Sequence, residues 1–267
     1  MCGGSRLFLL SLTLLFSSQA PLHAEKYASI IIDDVGNNLD YGNDIIAIPA
    51  ALTIAILPDT TYAKDLARLA VEYQKEVMLH LPMQSVEHHE YSPGALNLHM
   101  TRAEFNRQLN TDLNAVPYIS GVNNHMGSLL TRHPGHMAWL MDELSRRGNL
   151  YFVDSKTSSQ SVADKIANEH NIPTLSRDFF LDSDATESAI RIQFSRFIKK
   201  INRRGYALAI AHPYPNTIQF LKDHLVELTE QGIRLIPVSG LIQMTNKVTH
   251  QRGDQHVACT RTTCPGL

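Results

Sequence analysis

The sequence predicts an α/β protein, an irregular (β/α) barrel of seven or eight parallel strands in one domain. Three observations carry that expectation. Short apolar runs alternate with amphipathic stretches, almost every apolar run ends in an ionisable side chain, and glycines fall where helices would stop. An open doubly wound sheet is the alternative that the same alternation permits. With 43% hydrophobic and 19% charged residues among 267, the chain can bury a sizeable core. A formal net charge of −2 points to no nucleic acid and no anionic membrane as partner.

In chain order, Arg6 precedes the apolar run Leu7 to Phe16, and small and polar residues lead to Leu22-His23-Ala24. That order is a secretory signal peptide over 1–24, too short to span a bilayer, which needs about 20 apolar residues. The chain is therefore expected to cross the inner membrane into the periplasm without staying inserted. Residues 25–245 are assigned to the barrel domain and 246–267 to a polar tail. Cys259 and Cys264 in that tail read as a short disulfide loop.

Buried strands are expected over 27–32, 52–57, 77–81, 118–122, 150–153, 172–175, 206–211 and 234–238, each short and bounded by turn formers. Asp59 precedes a helical pattern from Ala63 to Ala70. Thr101-Arg102-Ala103-Glu104 reads as a capping box, and Asp184-Ala185-Thr186-Glu187 repeats that logic before a run to Arg204. Gly148, Gly205 and Gly232 mark helix ends. Residues 84–100, with Glu87-His88-His89-Glu90, read as a surface excursion.

The polar residues at the strand ends carry the functional expectation. Asp33-Asp34, His80, Asn123-Asn124-His125, Asp154, Arg177-Asp178 with Asp182, and His212 all follow apolar runs. In parallel sheets and barrels that edge is where the loops converge on one mouth. Taken singly, an Asp after a strand caps a turn and a His in an apolar run is a bonded core residue. Adjacent buried carboxylates, however, repel unless a cation or shared proton relieves them. Two imidazoles and a carboxylate make a site with open positions, as in catalytic zinc centres, though non-haem iron uses the same donors. A second carboxylate beside such an ion serves as general base, and the Asp pair supplies both. No Gly-x-Ser-x-Gly elbow and no phosphate-cradling glycine loop is present.

The motifs Ile31-Ile32-Asp33-Asp34-Val35-Gly36, His80-Leu81-Pro82-Met83, Asn124-His125-Met126-Gly127-Ser128, Phe152-Val153-Asp154-Ser155 and Ala211-His212-Pro213 resemble, in this order, those of the divergent polysaccharide deacetylases. The resemblance implies an irregular barrel that removes acetyl groups from sugars with a divalent metal, zinc above all. It implies Asp33 as base, Asp34, His80 and His125 as metal ligands, Asp154 as an orienting carboxylate, and His212 as general acid or oxyanion partner. The better-known deacetylases of the wider group carry His-x-x-x-His, whereas Gln84 stands four residues after His80, so the second imidazole comes from elsewhere. Their Arg-Pro-Pro-Tyr signature is missing as well. The expected function is thus an exported metal-dependent hydrolase of acylated glycans. A carbohydrate-binding protein without turnover and a metal-dependent phosphoesterase are the alternatives.

Overall fold

The computed structural model describes residues 25–86 and 94–246. The expected signal peptide, His88-His89, and Cys259 with Cys264 lie outside the described residues.

The strands are β1 (Lys26–Val35), β2 (Thr53–Ile56), β3 (Glu76–Met83), β4 (Ile119–Met126), β5 (Tyr151–Asp154), β6 (Thr174–Ser176), β7 (Phe179–Phe180), β8 (Tyr206–Ala211) and β9 (Ile233–Leu235). They form one sheet in the order β6-β5-β4-β3-β2-β1-β8-β7, with β9 beside β1, and every pairing is parallel. The result is a parallel-strand half-barrel with helices outside, as the alternation predicts, with eight strands along its path and β9 off that path. Parallel strands buried on both faces read as continuous apolar runs, and β1 and β8 do so.

Strand alternation divides the core in two. Ile31, Ala55, Met78, Val153 and Ile210 point into the barrel, whose base is closed by Val238, Leu241 and Ile242. Ile30, Ile32, Phe152 and Ala209 point outward and pack against the helices. Those helices are α1 (Leu39–Ile46), α2 (Ala63–Glu72), α3 (Arg102–Ala115), α4 (Pro134–Arg147), α5 (Ala163–Glu169), α6 (Glu187–Arg204), α7 (Pro215–His224) and α8 (Val226–Glu230).

Several expectations need correction. β1 and β4 run on through Asp33-Asp34 and Asn123-Asn124-His125, and β3, which holds His80 as expected, runs on to Met83, because parallel pairing continues past the expected ends. The run expected as one strand over 172–175 begins later, and the two-residue β7 escapes notice by its length. Residues 238–246 are helical rather than the end of a strand. The excursion after β3 is partly packed, since Leu96 returns to bridge Met83. The capping box of α3 forms as expected, but α6 starts after Thr186, which makes no side-chain cap, while Asp184 accepts from the Thr186 N–H at 2.9 Å. Asp59 caps nothing on α2, whose first turn follows Tyr62.

One helix carries a buried charge away from the barrel mouth. Asp112 of α3 is 3% exposed; its Oδ1 accepts from Gln108 Nε2 at 2.9 Å and its Oδ2 has no partner among the described residues. Burial pushes its carboxyl from 3.8 up to about 7, against the Gln108 hydrogen bond. Between about pH 4 and pH 7 the folded chain thus holds a proton that the unfolded chain releases, so this group's contribution to stability falls as pH rises. Asp112→Asn is expected to remove that fall. Urea unfolding of both proteins at pH 4, 5.5 and 7 should show the variant gaining on the parent as pH rises, and a constant difference would refute the assignment.

Candidate active site

The mouth of the barrel is built from both sides of β1. β1 carries Asp33 and Asp34, β3 carries His80, β4 carries Asn123 and His125, and His212 directly follows β8. The register sets His80 beside Asn123 and Pro82 beside His125, while Ile32 pairs with Ala211. Period-two alternation keeps Asp33, His80 and Asn123 on the interior side.

Asp34 leaves the strand with φ 57°, a left-handed conformation that costs a non-glycine residue about 1 kcal/mol. The turn that follows is pressed from outside. A Cβ on Gly36 (φ +138°) would lie 2.1 Å from Thr60 Oγ1, so only glycine lets the β2–α2 loop close over it. A similar device follows His125, where Met126 has φ 54° and Gly127 has φ 87°. Their carbonyls are held there: Met126 O accepts from Asn124 Nδ2 at 2.6 Å and Thr157 Oγ1 at 2.9 Å, and Gly127 O accepts from Thr131 Oγ1 at 2.7 Å.

Three ligand-type atoms meet here. Asp34 Oδ1 lies 2.9 Å from His125 Nδ1 and 3.1 Å from His80 Nε2, and the two ring nitrogens are 3.1 Å apart. Among the described residues this is the group of His, Cys, Asp or Glu side chains whose ligand atoms converge. Asp34 Oδ1 is buried and accepts no hydrogen bond of good geometry despite those two neighbours. Donors about 2.0–2.1 Å from a tetrahedral ion lie about 3.3 Å from one another, close to these edges. The donor set and its spacing therefore fit a divalent cation.

The electrostatics ask for positive charge at the same point. Burial opposes ionisation of Asp34, yet the His125 and His80 ring nitrogens beside it hold its carboxyl far below the usual range. Burial disfavours the His80 imidazolium, but Asp33 and Asp34 outweigh this and raise it to about 9. Asp33 stands apart from its neighbour. It is 2% exposed and burial pushes its carboxyl up, while His80 and His212 pull it down. Its Oδ1 accepts from Asn123 Nδ2 at 2.8 Å and its Oδ2 lies 3.6 Å from His80 Nε2.

Across β1, His212 is held by the buried Asp182. His212 Nδ1 lies 2.9 Å from Asp182 Oδ1, its backbone N–H donates to Oδ2 at 2.7 Å, and Thr217 Oγ1 donates to Oδ2 at 2.8 Å. Phe180 and Tyr214 both stack against the ring, and Nε2 lies 4.0 Å from Asp34 Oδ2. Burial lowers the His212 imidazolium, but Asp182, with Asp33 and Asp34 behind it, raises it on balance. A cleft of about 350 Å³ opens beside Asp34 and His125, walled by Leu57, Asp59 and Thr60. A larger groove of about 510 Å³, between α7–α8 and the loop at Pro49, touches none of these residues.

The structure thus brings together Asp33, Asp34, His80, His125 and His212 as the sequence predicts, but not Asp154. Tyr151 and Val153 face the barrel, so Asp154 faces the other way. Its carboxylate accepts from Lys156 N at 2.9 Å and Ser161 Oγ at 2.7 Å and clamps the loop after β5. Asp182, not Asp154, is the carboxylate that orients His212. Asp178 is paired with Lys200 and Arg204, and Arg177 donates to the Ser155 and Lys156 carbonyls and stacks on Phe180. Asn123 and Asp182 touch the site residues, and motif reading alone gave them no role. Asn123 is two residues before His125, and that spacing was the available signal.

The sequence profile of the divergent polysaccharide deacetylase family matches residues 30–242. The chain belongs to the divergent polysaccharide deacetylases. Two bacterial relatives match most of the chain: an uncharacterized protein of Haemophilus influenzae is 37% identical over 88% of this chain and 82% of its own length, and the uncharacterized protein YibQ of Escherichia coli is 35% identical over 88% and 72%. An uncharacterized protein of Agrobacterium tumefaciens C58 shares the fold with a TM-score of 0.78 at 19% identity, covering 84% of this chain and 92% of that one. A variant of the peptidoglycan deacetylase PdaC of Bacillus subtilis has a TM-score of 0.51 at 13% identity, covering 86% and 97%. A mutant, with restored enzymatic activity, of a CE4 family pseudoenzyme of Bacillus anthracis has a TM-score of 0.50 at 17% identity, covering 82% and 69%. The chain therefore has a fold similar to that of the CE4 deacetylases.

Zinc is expected to raise the melting temperature of the chelator-treated protein by about 5 °C or more at saturating concentration. His80→Ala, His125→Ala and Asp34→Ala should each abolish the rise; an equal rise in these variants would place the ion elsewhere.

Proposed function

We propose that this chain is an exported, divalent-metal-dependent deacetylase that removes acyl groups from an envelope or other glycan. The observation that supports the reading most directly is the convergence of Asp34 Oδ1, His80 Nε2 and His125 Nδ1 within about hydrogen-bond distance, next to buried Asp33 and Asp182-held His212. Asp34, His80 and His125 would hold the ion, with zinc favoured by the two imidazoles and one carboxylate. Such an ion, when bound, polarises an acyl carbonyl and lowers the pKa of water.

The remaining groups divide the proton work. Asp33, made more basic by burial, takes the proton of the attacking water while Asn123 keeps its carboxylate in place. His212 stands on the opposite side of β1, held through Nδ1 by Asp182, so its Nε2 is free to give a proton to the leaving nitrogen or oxygen. Phe180 and Tyr214 fix the plane of the ring.

Asp33→Asn is expected to keep the metal and lower acetate release from acetylated glycans by roughly 10² or more. Unchanged release would remove Asp33 as base. A second reading, a glycan-binding barrel without turnover, is favoured by the fold shared with the CE4 pseudoenzyme. It expects glycan binding that survives chelation and no acetate from any glycan tested. Export is supported by the residue order of 1–24. Osmotic-shock release of a chain beginning at Glu25 is the expected result, and full-length chain confined to the cytosol would count against it.

A further inference from the structure

We propose that Asn123 is a positioning residue whose single carboxamide ties the metal ligand His80 to the base Asp33. The inference rests on the metal centre and the base named above. Asn123 is fully buried on β4, directly across from His80 on β3. Its Oδ1 lies 2.8 Å from His80 Nδ1, and its Nδ2 donates to Asp33 Oδ1 at 2.8 Å and to Ser155 Oγ at 3.3 Å. Every polar atom of the side chain is thus engaged, at two different parts of the site.

The amide can sit only one way round. If it were flipped, its carbonyl oxygen would face the Asp33 carboxylate, acceptor against acceptor, in a buried site where an unmade hydrogen bond costs about 1–3 kcal/mol. With the NH2 group committed to Asp33, the oxygen faces His80 and accepts from Nδ1–H. With an ion bound, the one proton left on the His80 ring would then be on Nδ1 and the lone pair on Nε2, the atom that lies 3.1 Å from Asp34 Oδ1. The ionised base therefore sets the amide, and the amide sets the tautomer of the ligand. A core asparagine with a merely structural role would have no such dependence.

The two ends of the amide can be separated by substitution. Asn123→Asp keeps an acceptor for His80 Nδ1–H but sets a carboxylate against Asp33, while Asn123→Ala removes both contacts. The measurements are zinc titration of the chelator-treated protein by calorimetry, nitrogen-15 imidazole spectra of the same samples, and turnover of 4-nitrophenyl acetate. Asn123→Ala is expected to weaken zinc binding by roughly 10–100-fold. Asn123→Asp is expected to bind zinc within a few-fold of the parent, with the His80 proton still on Nδ1, yet to lose turnover by roughly 10². The proposal is overturned if the zinc-loaded parent carries the His80 proton on Nε2 rather than Nδ1, if Asn123→Asp loses zinc as severely as Asn123→Ala, or if Asn123→Asp turns over like the parent. A parent that binds zinc with the Nδ1 proton in place but releases no acetate sinks the deacetylase reading alone, and the zinc and tautomer results still decide the role of Asn123.

Discussion

Two neighbouring carboxylates at the end of a buried central strand repel, by about 4 kcal/mol for unit charges about 4 Å apart at an effective dielectric of 20. The mouth of this barrel is organised around relieving that repulsion at Asp33 and Asp34. The left-handed turn at Asp34 separates the pair and directs one carboxylate to two imidazoles. Asp33 stays inside, where burial and one amide donor govern it. The same two residues thereby acquire opposite characters, one held firmly ionised and one made basic.

The sheet order converts that local solution into a site with two sides. β1 lies between β2 and β8, so the Asp pair has a strand on either side of it. Imidazoles arrive from β3 and β4 on one flank, and His212 arrives from β8 on the other. Nothing in the turn chemistry of Asp33-Asp34 requires this; it follows from parallel strands all delivering their C-terminal ends to the same mouth.

Much of this was legible in the sequence because two of its signals are physical rather than statistical. Strands buried on both faces must be nearly all apolar, so the runs at Ile30 and Ala209 announce themselves, as do the polar residues that end them. Convergence at the mouth then follows from parallel topology. What stayed hidden depends on which face a side chain takes. Asp154 and Asp182 each end or follow an apolar run, yet Asp154 turns outward because Tyr151 and Val153 already face in. Asn123 was visible only as part of a polar cluster, since its partners lie on β1 and β3, distant in sequence. β7 was too short to carry a pattern.

The way the chain passes from β6 to β7 has a consequence for how the protein tolerates change in length. Through Ser176 the chain pairs with β5; at Arg177 its N–H still reaches Asp154 O, and at Asp178 its N–H already reaches Leu208 O on β8. Leu181 then bonds Ile210, and Asp182 follows at once with its hold on His212. One extended segment therefore spans the gap between the two edges of the sheet and delivers a carboxylate at its far end. An inserted residue in extended chain adds about 3.3 Å, more than a hydrogen bond near 2.9 Å can absorb. Surface loops in such folds accept insertions freely, but this crossing acts as a gauge, and its length is set jointly by the circumference of the sheet and by the place of one imidazole.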